Sequence, residues 1–398
     1  MNQRSGPDAL RVAVLSSHFP NPLYPHWSRF SQQQLDALAG MCRLGVVTPV
    51  AWPEVVRRGR LSLPARREPY PVTWPLFWYL PRWGLACQPR HFLWSAAPSL
   101  RRLARELRPQ VLLGTWLFPD GWAGLHLARR LGLPYALKLH GSDLMVYKDD
   151  PRRLPFLQEA LAGADLVLAV SRPLGEEAAR QGARRVEILP NGLDHERFHP
   201  ESREDARREL GLPLAGRLVL YVGRLQPVKG PDLALEALAR LGGEAKLVMV
   251  GDGPLEEGLK ARAGEPDLAG RVIWAGRRPH AQVARFLAAA DGVLLPSRSE
   301  GDPNVVLEGL GAGRPVAASR VGGAEDALTG PDGRLRGALA RPGDAGDLAR
   351  ALGEVLARDW DPAWVNQAVA ARTWENSAAR LRDLLAGLVR PASPGGGA

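Results

Sequence analysis

The stretch that decides the fold is SRSEGDPNVVLEGLGAGRPVAASRVGG, residues 297–323, which carries two glutamates, Glu300 and Glu308. The apolar segment DGVLLPS that leads into it predicts a buried strand, and NVVLEGLGAG after Pro303 predicts a helix that ends in glycine. Glu300 should therefore lie on the loop that leaves a strand, and Glu308 about one turn into the next helix. Open α/β sheets bind ligands where a strand's carboxyl end meets a helix N-terminus, and the free amides there favour phosphate.

Two carboxylates at such a helix start suit a ligand that carries several hydroxyl groups and a phosphate, because an ionised carboxylate only accepts hydrogen bonds. A simpler alternative is one solvated glutamate on a loop and another on the exposed face of a helix. The spacing of the two glutamates leaves both interpretations open.

Strand-like and helix-like segments alternate through most of the chain, which predicts right-handed βαβ units and parallel sheets. In the first half, the predicted strands span residues 11–17, 44–50, 110–116, 135–141, 165–171 and 185–192. A polar linker with a short helix is predicted at 194–211, and further strands follow at 217–224, 245–253, 271–278, 291–297 and 314–323. Residues 51–94 have an irregular pattern, a helix is predicted at 99–108, and a final helix at 363–388. The sequence therefore predicts an α/β protein with two doubly wound domains in series.

The composition favours a globular protein with anionic partners. The net charge of +10 suits nucleotides, nucleic acid or an anionic membrane surface. No nucleic-acid-binding motif accompanies this charge, so we expect no nucleic-acid partner. Two cysteines, Cys42 and Cys87, make neither a disulfide framework nor a metal cluster, which is typical of a reduced, cytoplasmic protein. We find no signal peptide and no apolar run of 18 residues, so we expect no membrane span.

A second motif, YVGRLQPVKG at 221–230, places Arg224 and Lys229 just past a predicted strand of the second domain. Two cations on such a loop can neutralise a diphosphate, and a leaving diphosphate needs this charge stabilisation. A solvated basic loop is the alternative. Because the strand-end loops of one sheet converge on one edge, the two cations and the two glutamates are predicted to face the same cleft.

In the first domain, KLHGSD at 138–143 places His140 at the end of a predicted strand. A neutral imidazole there can orient a hydroxyl or accept a proton, since the ordinary pKa of histidine lies near physiological pH. The alternative is a histidine that is only hydrogen-bonded at a strand terminus, with Asp143 capping the following turn.

Other patterns argue against a bound cofactor. The segment GDGPLEEG at 251–258 has two glycines of a dinucleotide fingerprint, but Glu256 stands where the third glycine belongs, so NAD is not expected. The sequence contains no Walker loop and no Gly-x-Ser-x-Gly elbow. His195 and His199 have a ligand-like spacing, but no carboxylate or cysteine cluster completes a metal site, so no metal is expected either.

Residues 51–94 combine many tryptophans and arginines. Amphipathic rings and cations together suit an anionic membrane interface, and tryptophan also suits an aromatic platform for a sugar ring. An ordinary loop packed by its own aromatic side chains is the alternative. The residues concerned are Trp52, Trp74, Trp78, Trp83, Trp94, Arg57, Arg58, Arg60, Arg66, Arg67 and Arg82.

Taken together, these segments resemble the family 4 retaining glycosyltransferases. The resemblance rests on LHGSD, PNGLD, YVGRLQPVKG, VGDGPL and SEGDPNVVLEGLGAGRPVAASRVGG, which occur in the order and spacing of that family. It covers nearly the whole chain and implies the GT-B fold, in which two Rossmann-like domains face a central cleft and a C-terminal helix crosses back to the first domain. We therefore expect domains at 1–195 and 196–370, a returning helix at 371–390 and a disordered tail at 391–398.

The resemblance also implies a role for each motif residue of the second domain. Arg224 and Lys229 would hold the donor diphosphate, and Glu300 would bind hydroxyls of the transferred sugar. Gly301 and the amides of Asn304 and Val305 would support the sugar and phosphates, and Glu308 would bind the nucleotide ribose.

In the first domain, the resemblance places His140 near the donor sugar and the attacking acceptor hydroxyl, and Asn191 in the interdomain cleft. The expected catalytic residues are His140, Arg224, Lys229 and Glu300, with no bound metal. Two features depart from the common family pattern. The first-strand loop HFPNPLYPHWSRF resembles a subgroup that makes cell-surface polysaccharides, and Asp302 replaces a frequent aromatic residue, which would alter contacts to the donor.

The implied function is that of a retaining glycosyltransferase that moves a sugar from a UDP- or GDP-sugar to a lipid-linked or glycan acceptor in cell-surface polysaccharide or glycolipid synthesis. The acceptor hydroxyl would attack on the face that the diphosphate leaves, so no nucleophilic carboxylate is required. A non-catalytic scaffold or regulatory subunit is the alternative, against which the intact cations and glutamates argue. We expect a cytoplasmic protein that contacts the inner face of the plasma membrane through 51–94.

Overall fold

The computed structural model describes residues 9–25, 27–57, 68–79 and 87–389. The chain divides into two units, of which the first comprises Met1–Gly192 with Trp374–Ala398 and the second Leu193–Thr373. The predicted domain limits at 195 and 370 each lie three residues from these divisions. The predicted disordered tail, 391–398, lies outside the described residues.

The first unit is built on parallel strands with helices between them. Its described strands are β1 (Arg11–Leu15), β2 (Arg43–Val47), β3 (Val50–Ala51), β4 (Val72–Thr73), β5 (Leu76–Phe77), β6 (Val111–Gly114), β7 (Tyr135–Leu139), β8 (Leu166–Ala169) and β9 (Val186–Ile188). The helices are α1 (Arg29–Ala39), α2 (Trp52–Arg57), α3 (Gln88–Leu107), α4 (Asp120–Leu131), α5 (Ser142–Met145), α6 (Leu154–Gly163) and α7 (Arg172–Arg180). Seven strands form one sheet in the order β4-β2-β1-β6-β7-β8-β9, and β3 pairs with β5.

The second unit repeats this alternation around a six-stranded parallel sheet. Its strands are β10 (Leu218–Val222), β11 (Lys246–Val250), β12 (Val272–Gly276), β13 (Gly292–Leu295), β14 (Val316–Ser319) and β15 (Gly337–Ala340). Its helices are α8 (Arg203–Leu210), α9 (Pro231–Leu241), α10 (Glu256–Ala263), α11 (His280–Ala289), α12 (Asn304–Gly311), α13 (Ala324–Leu328), α14 (Ala345–Leu356) and α15 (Pro362–Asn366). The strand order is β12-β11-β10-β13-β14-β15.

Helices cover both faces of each sheet. Successive residues of a strand therefore pack into different apolar clusters. Along β1, Val12 and Val14 pack in one apolar cluster and Ala13 and Leu15 in another. The residues of β10 alternate in the same way between two clusters of the second unit. A parallel strand buried on both faces reads as a continuous apolar run, which is why the strands were recognisable from sequence. The predicted α/β fold with two doubly wound halves is confirmed.

The last helix, α16 (Trp374–Ala386), packs within the first unit although its residues follow the second in sequence. Leu381 and Leu385 join the apolar cluster that contains Leu35 of α1. Gln34 also donates a hydrogen bond to Ser377, with 3.0 Å between Nε2 and Oγ. The expected return of the C-terminal helix to the first unit is therefore confirmed.

Some sequence predictions of secondary structure were wrong. Residues 51–94 are not irregular throughout, because they contain four short elements and the start of α3, which begins at Gln88 rather than near 99. Pro98 stands inside α3, and proline normally interrupts a helix, so the sequence pattern hid its first half. The predicted helix 363–388 is divided into α15, a 3₁₀ turn at Gln367–Val369 and α16.

None of the helices in the described part of the chain combines the length and apolar character that crossing a bilayer requires.

Candidate functional site

The candidate site lies where the strand order of the second sheet reverses, between β10 and β13. These strands pair in parallel, so both chains leave them at the same edge of the sheet. The following helices cover opposite faces, since α9 packs in one core and α12 in the other. Such a reversal opens a crevice outside the carboxyl ends of the strands, where open α/β sheets bind their ligands.

The two strand-end loops, 223–230 and 296–303, are held in close contact. Gly230 has a φ of +61°, and a Cβ atom there would lie 2.2 Å from the carbonyl oxygen of Pro296. Only glycine fits this close approach of two backbones. The glycine that ends the YVGRLQPVKG motif therefore sets how near Lys229 comes to the loop of Glu300.

Arg298 also joins these loops. Its backbone N–H donates to the carbonyl of Val228 at 2.9 Å. Its guanidinium forms two hydrogen bonds with the carboxylate of Asp232, at 2.9 and 2.6 Å. This two-pronged ion pair between the loop of β13 and the start of α9 fixes the position of the intervening turn that carries Lys229.

Lys229 and Glu300 form a direct ion pair. The Lys229 Nζ atom lies 2.7 Å from Oε1 and 2.8 Å from Oε2 of Glu300. Ser297 donates a further hydrogen bond to Oε1 at 2.7 Å. The Glu300 side chain is only 11 % exposed and that of Lys229 is 32 % exposed. The predicted convergence of the cation loop and the glutamate loop is thus present, with the two charges in contact.

Arg224 lies on the same loop with an exposed side chain. The loop is braced from the other side by GDGPL, since the Leu225 N–H donates to Asp252 O at 2.9 Å. A Cβ on Gly251 would lie 1.9 Å from Gly223 O. The glycines of GDG therefore permit close packing against the Arg224 loop, which explains their presence without a dinucleotide.

Helix α12 begins directly after the Glu300 loop. Pro303 precedes it, and no side chain caps its N-terminus. The first N–H groups of an α-helix have no partner within the helix, and the helix dipole adds partial positive charge there. The amides of Asn304 and Val305 belong to this first turn, which is the arrangement that binds a phosphate oxygen. Gly301, just before, accepts a backbone hydrogen bond from Gly323 at 2.9 Å.

Glu308 lies one turn further along α12 and contacts a histidine that sequence reasoning missed. His280 Nε2 is 2.8 Å from Glu308 Oε1, and His280 Nδ1 is 2.9 Å from an Arg197 guanidinium nitrogen. A guanidinium can only donate, so Nδ1 must accept and the proton must lie on Nε2. His280 therefore donates to Glu308, and the ring also contacts Phe198 edge-on at 5.2 Å.

Asp302 does not present its carboxylate to the crevice. Its side chain is fully buried, with Oδ2 3.5 Å from a guanidinium nitrogen of Arg372. The Asp302 side chain therefore has no exposed atom with which to touch a donor. The expectation that donor contacts differ where Asp302 replaces an aromatic residue stays a prediction.

In the first unit, His140 follows β7 and is fixed through its backbone by Asp143. The carboxylate accepts hydrogen bonds from the N–H groups of His140 at 3.1 Å and Gly141 at 2.7 Å. Burial, with smaller effects of Lys138 and His18, holds the pKa of His140 well below its ordinary value. Burial therefore favours the neutral imidazole, which can orient a hydroxyl group.

His140 is half-buried and belongs to an aromatic cluster at the reversal between β1 and β6. His18 stacks on Trp116 with ring centroids 3.5 Å apart, and Trp116 lies 5.9 Å from His140. Burial lowers the pKa of His18 to about 3. Nearby, burial raises the pKa of Asp120 to about 7 and that of Asp143 to about 6, against hydrogen bonds that favour their charged forms. This edge of the first sheet therefore disfavours charge.

The structure thus brings most predicted site residues of the second unit into one neighbourhood. Lys229, Glu300, Arg224 and the start of α12 lie at the same sheet edge, with Glu308 on that helix. His140 lies at the corresponding edge of the first unit, and Asn191 is buried at the end of that unit, three residues after β9. Among the described residues, no group of three or more potential metal ligands occurs.

Comparison with protein families agrees with this arrangement. Residues 12–197 match the family model Glycosyltransferase Family 4, and residues 202–372 match Glycosyl transferases group 1. The chain is 31% identical over 359 residues to a Bacillus subtilis protein provisionally named the teichuronic acid biosynthesis glycosyltransferase TuaC, covering 86% of this chain and 88% of that protein. It is 32% identical over 281 residues to D-inositol 3-phosphate glycosyltransferase of Mycolicibacterium smegmatis, covering 68% and 62%.

Among solved structures, sucrose-phosphate synthase from Thermosynechococcus elongatus superposes with a TM-score of 0.75 at 23% identity, covering 95% of this chain and 99% of that one. HepE from Anabaena in complex with UDP gives a TM-score of 0.72 at 18% identity, covering 95% and 100%. At these identities the likeness shows a common fold.

Proposed function

This chain belongs to the family 4 glycosyltransferases of group 1 and has their GT-B fold, and on that premise we propose that its second unit binds a sugar nucleotide through Lys229, Arg224 and the start of α12. The main support is the contact of Lys229 with Glu300 at the reversal of the second sheet. There a cation for the diphosphate and an acceptor for sugar hydroxyls lie side by side, next to the N-terminus of α12.

Lys229 can serve both neighbours at once. An ammonium group has three N–H donors. Two of them are used in the hydrogen bonds from Nζ to the two carboxylate oxygens of Glu300, at 2.7 and 2.8 Å. The third is free for a phosphate oxygen. Glu300 offsets part of the Lys229 charge, so the exposed guanidinium of Arg224 and the α12 amides supply the remaining positive potential for a diphosphate.

In the proposed reaction the bond between the anomeric carbon and the diphosphate oxygen breaks, and negative charge grows on the leaving group. Lys229, Arg224 and the helix amides stabilise this charge. The acceptor hydroxyl attacks on the face that the diphosphate vacates, its proton passes to the departing phosphate oxygen, and the anomeric configuration is retained. Glu300 is held by Lys229 and Ser297, which suits an anchor for sugar hydroxyls better than a nucleophile.

Glu308 is the proposed partner of the nucleotide ribose. His280 occupies one of its oxygens, which leaves the other to accept from a ribose hydroxyl. In the first unit, His140 offers a neutral imidazole to orient the acceptor or donor hydroxyl, and Asn191 is assigned to the same substrate-binding region. The proposed co-substrate is a UDP- or GDP-sugar, without a metal.

The proposal is tested by measuring donor hydrolysis and sugar transfer. Thermal stabilisation by UDP-, GDP- and ADP-sugars first selects the donor, since a ligand of the folded state raises stability by mass action. Lys229→Ala, Arg224→Ala and Glu300→Gln are then compared with Lys260→Ala, which removes an exposed lysine that pairs with Glu256 on α10. We expect the first three to lower the rate about 100-fold or more and the control to match wild type. Wild-type rates in all three site variants would refute the assignment.

The proposed acceptor is a lipid-linked or glycan chain of a cell-surface polysaccharide or glycolipid, as the name of the Bacillus subtilis relative suggests. Trp78 and Trp94 support a membrane contact, because their side chains are 59% and 66% exposed. They belong to neighbouring segments, since the backbone N–H of Trp78 donates a hydrogen bond to the hydroxyl of Ser95, the residue after Trp94. Trp52 and Trp74 instead pack within the unit and donate to backbone carbonyls. Trp83 and Arg58, Arg60, Arg66, Arg67 and Arg82 of the predicted surface lie outside the described residues.

Co-sedimentation with vesicles tests the peripheral attachment that we propose for the cytoplasmic face of the membrane. We expect binding to phosphatidylglycerol vesicles and weak binding to phosphatidylcholine vesicles, with the anionic binding reduced in Trp78→Ser/Trp94→Ser. The control is Val146→Ser/Leu214→Ser, which removes two apolar side chains of similar exposure elsewhere. Equal binding by the tryptophan variant and the control would exclude the tryptophan surface.

A further inference from the structure

A cavity of about 300 Å³ lies at the opposite edge of the second sheet, around the residues that enter β10, β13 and β14. It is separate from the candidate donor site, which lies where β10 and β13 end. Its lining includes four arginines and one tryptophan from four segments of the chain. They are Arg203, Arg217, Arg314, Arg358 and Trp360, with Asp291 among the acidic neighbours.

Positive charge exceeds the acidic partners at the base of this cavity. Asp291, with a side chain only 5% exposed, pairs with Arg203, with Arg207 at 2.6 Å and with Arg217 at 3.6 Å. It also accepts a hydrogen bond from the Leu218 N–H at 2.6 Å. One buried carboxylate therefore faces three guanidinium groups.

Arg314 is a fourth cation close by and is almost fully buried, at 6% exposure. It donates from one terminal nitrogen to the carbonyls of Glu201 and Ala288, but its Nε–H is buried without a hydrogen-bond partner among the described residues. Burial, and then the charge of Arg203, lower the pKa of Arg314 to about 10. Both observations indicate a cation with too little negative charge around it.

Two arginines at the mouth of the cavity have donors to spare. Arg217 lies 3.6 Å from Asp291 and 3.7 Å from Asp359, which are longer than hydrogen bonds, and Asp359 is 99% exposed. Arg358 contacts the ring of Trp360 at 5.7 Å and has no ion pair with any residue in the described part of the chain. The Trp360 side chain adds an apolar surface to the lining.

We propose that this cavity is a binding site for a small phosphate ester. A phosphate offers three strong acceptor oxygens, and arginine forks bind such groups with two parallel hydrogen bonds. Arg217 and Arg358 hold the phosphate, Arg203 and the buried Arg314 supply the positive potential behind it, and Trp360 contacts the organic part. A volume of this size admits a sugar phosphate but not a long chain.

Phosphate binding at this cavity can be measured apart from the donor site. Inorganic phosphate is titrated into the full-length Arg224→Ala/Lys229→Ala protein, in which the proposed diphosphate site is disabled, and thermal stability and calorimetric heat are followed. The cavity variant adds Arg217→Ser and Arg358→Ser to this background. The matched control adds Arg101→Ser and Arg130→Ser, which remove two exposed arginines of the first unit.

We expect the apparent phosphate affinity to fall at least tenfold in the cavity variant and to remain unchanged in the control. Any general stabilisation by phosphate salts affects both proteins alike. Equal affinities in the two proteins would overturn the site. Vesicles that contain phosphatidic acid distinguish the two sources of a phosphate ester. Vesicle binding that depends on Arg217 and Arg358 identifies a lipid headgroup as the ligand. Binding of free phosphate without binding to these vesicles identifies a soluble ester.

Discussion

The two sheets of this protein reverse their strand order in the same way, but the edges at which they do so have opposite electrostatic character. In the second unit, Lys229, Glu300 and Arg224 keep charges partly open to solvent. In the first, His18 and His140 are half-buried, and desolvation holds their pKa values far below the ordinary range. The topology provides a crevice in both units, while the side chains decide which crevice accepts a charged ligand.

This difference follows from desolvation. A group that loses water without gaining an opposite charge shifts towards its neutral form. Asp120 and Asp143 are buried among aromatic rings and hydrogen-bonding amides, so their pKa values rise. Glu300 loses water too, but Lys229 compensates it at 2.7 Å. A neutral edge suits the uncharged hydroxyls of an acceptor, and a charged edge suits a diphosphate.

Asp120→Asn tests the neutral edge and has the largest expected effect on stability. Burial raises the pKa of Asp120 from 3.8 to about 7, so the folded protein holds this proton more tightly than the unfolded chain. The stability contributed by the protonated carboxyl is complete below the unfolded pKa and is lost as the pH rises towards 7. Each pKa unit corresponds to about 1.4 kcal/mol, so the variant should gain a few kcal/mol relative to wild type between pH 4 and 8.

Urea denaturation across this pH range measures the gain, with Asp359→Asn as the control because Asp359 is 99% exposed. A difference between wild type and Asp120→Asn that does not change with pH would mean that the first edge carries no buried proton.

His280 sharpens the comparison at the charged edge. His280→Phe removes the donor to Glu308 and the acceptor for Arg197, whereas His280→Gln can keep both. We expect His280→Phe to raise the donor KM about tenfold with little change in kcat, because ribose binding is the same in the ground and transition states. It should also weaken the preference for a ribose over a 2′-deoxyribose donor.

Kinetics with both donors separate a positioning role from a structural one. His280→Gln should restore the KM and the ribose preference. If His280→Phe lost stability but kept the wild-type ratio of the two donors, His280 would not position Glu308 for the ribose.

Arg298→Ala has the smallest expected effect. Its ion pair with Asp232 is half exposed, so the loss in unfolding free energy should be below about 1 kcal/mol. The same change loosens the turn that carries Lys229, so the donor KM should still rise severalfold. Arg320→Ala is the matched control, since it breaks a similarly exposed pair with Glu325. Equal KM values for the two variants would show that the Lys229 turn does not depend on Arg298.

Features carried by a local pattern could be predicted from the sequence. The strands were visible as apolar runs, and the strand-end positions of Lys229 and Glu300 followed from the alternation of elements. Strand β15 was missed because Gly337–Ala340 is short and contains glycine and alanine but no β-branched or aromatic residue. The contact of Arg197, His280 and Glu308 joins positions far apart in sequence, so only the fold reveals it.

The first-unit edge was hidden for a related reason. His140 was found through its motif, but its pKa depends on the residues around it, which include Trp116 and Phe30, whose ring lies 4.8 Å from that of His140. The spacing of residues along the sequence does not show these contacts. Asp302 and Arg372, which contact each other in the fold, are likewise separated in sequence by several helices and strands.

The most direct test of the central claim is calorimetric titration of the selected sugar nucleotide into wild type, Lys229→Ala and Asp120→Asn. The account predicts that donor affinity falls at least tenfold in Lys229→Ala and changes less than twofold in Asp120→Asn, because the diphosphate binds at the charged edge of the second unit. Wild-type affinity in Lys229→Ala would contradict it.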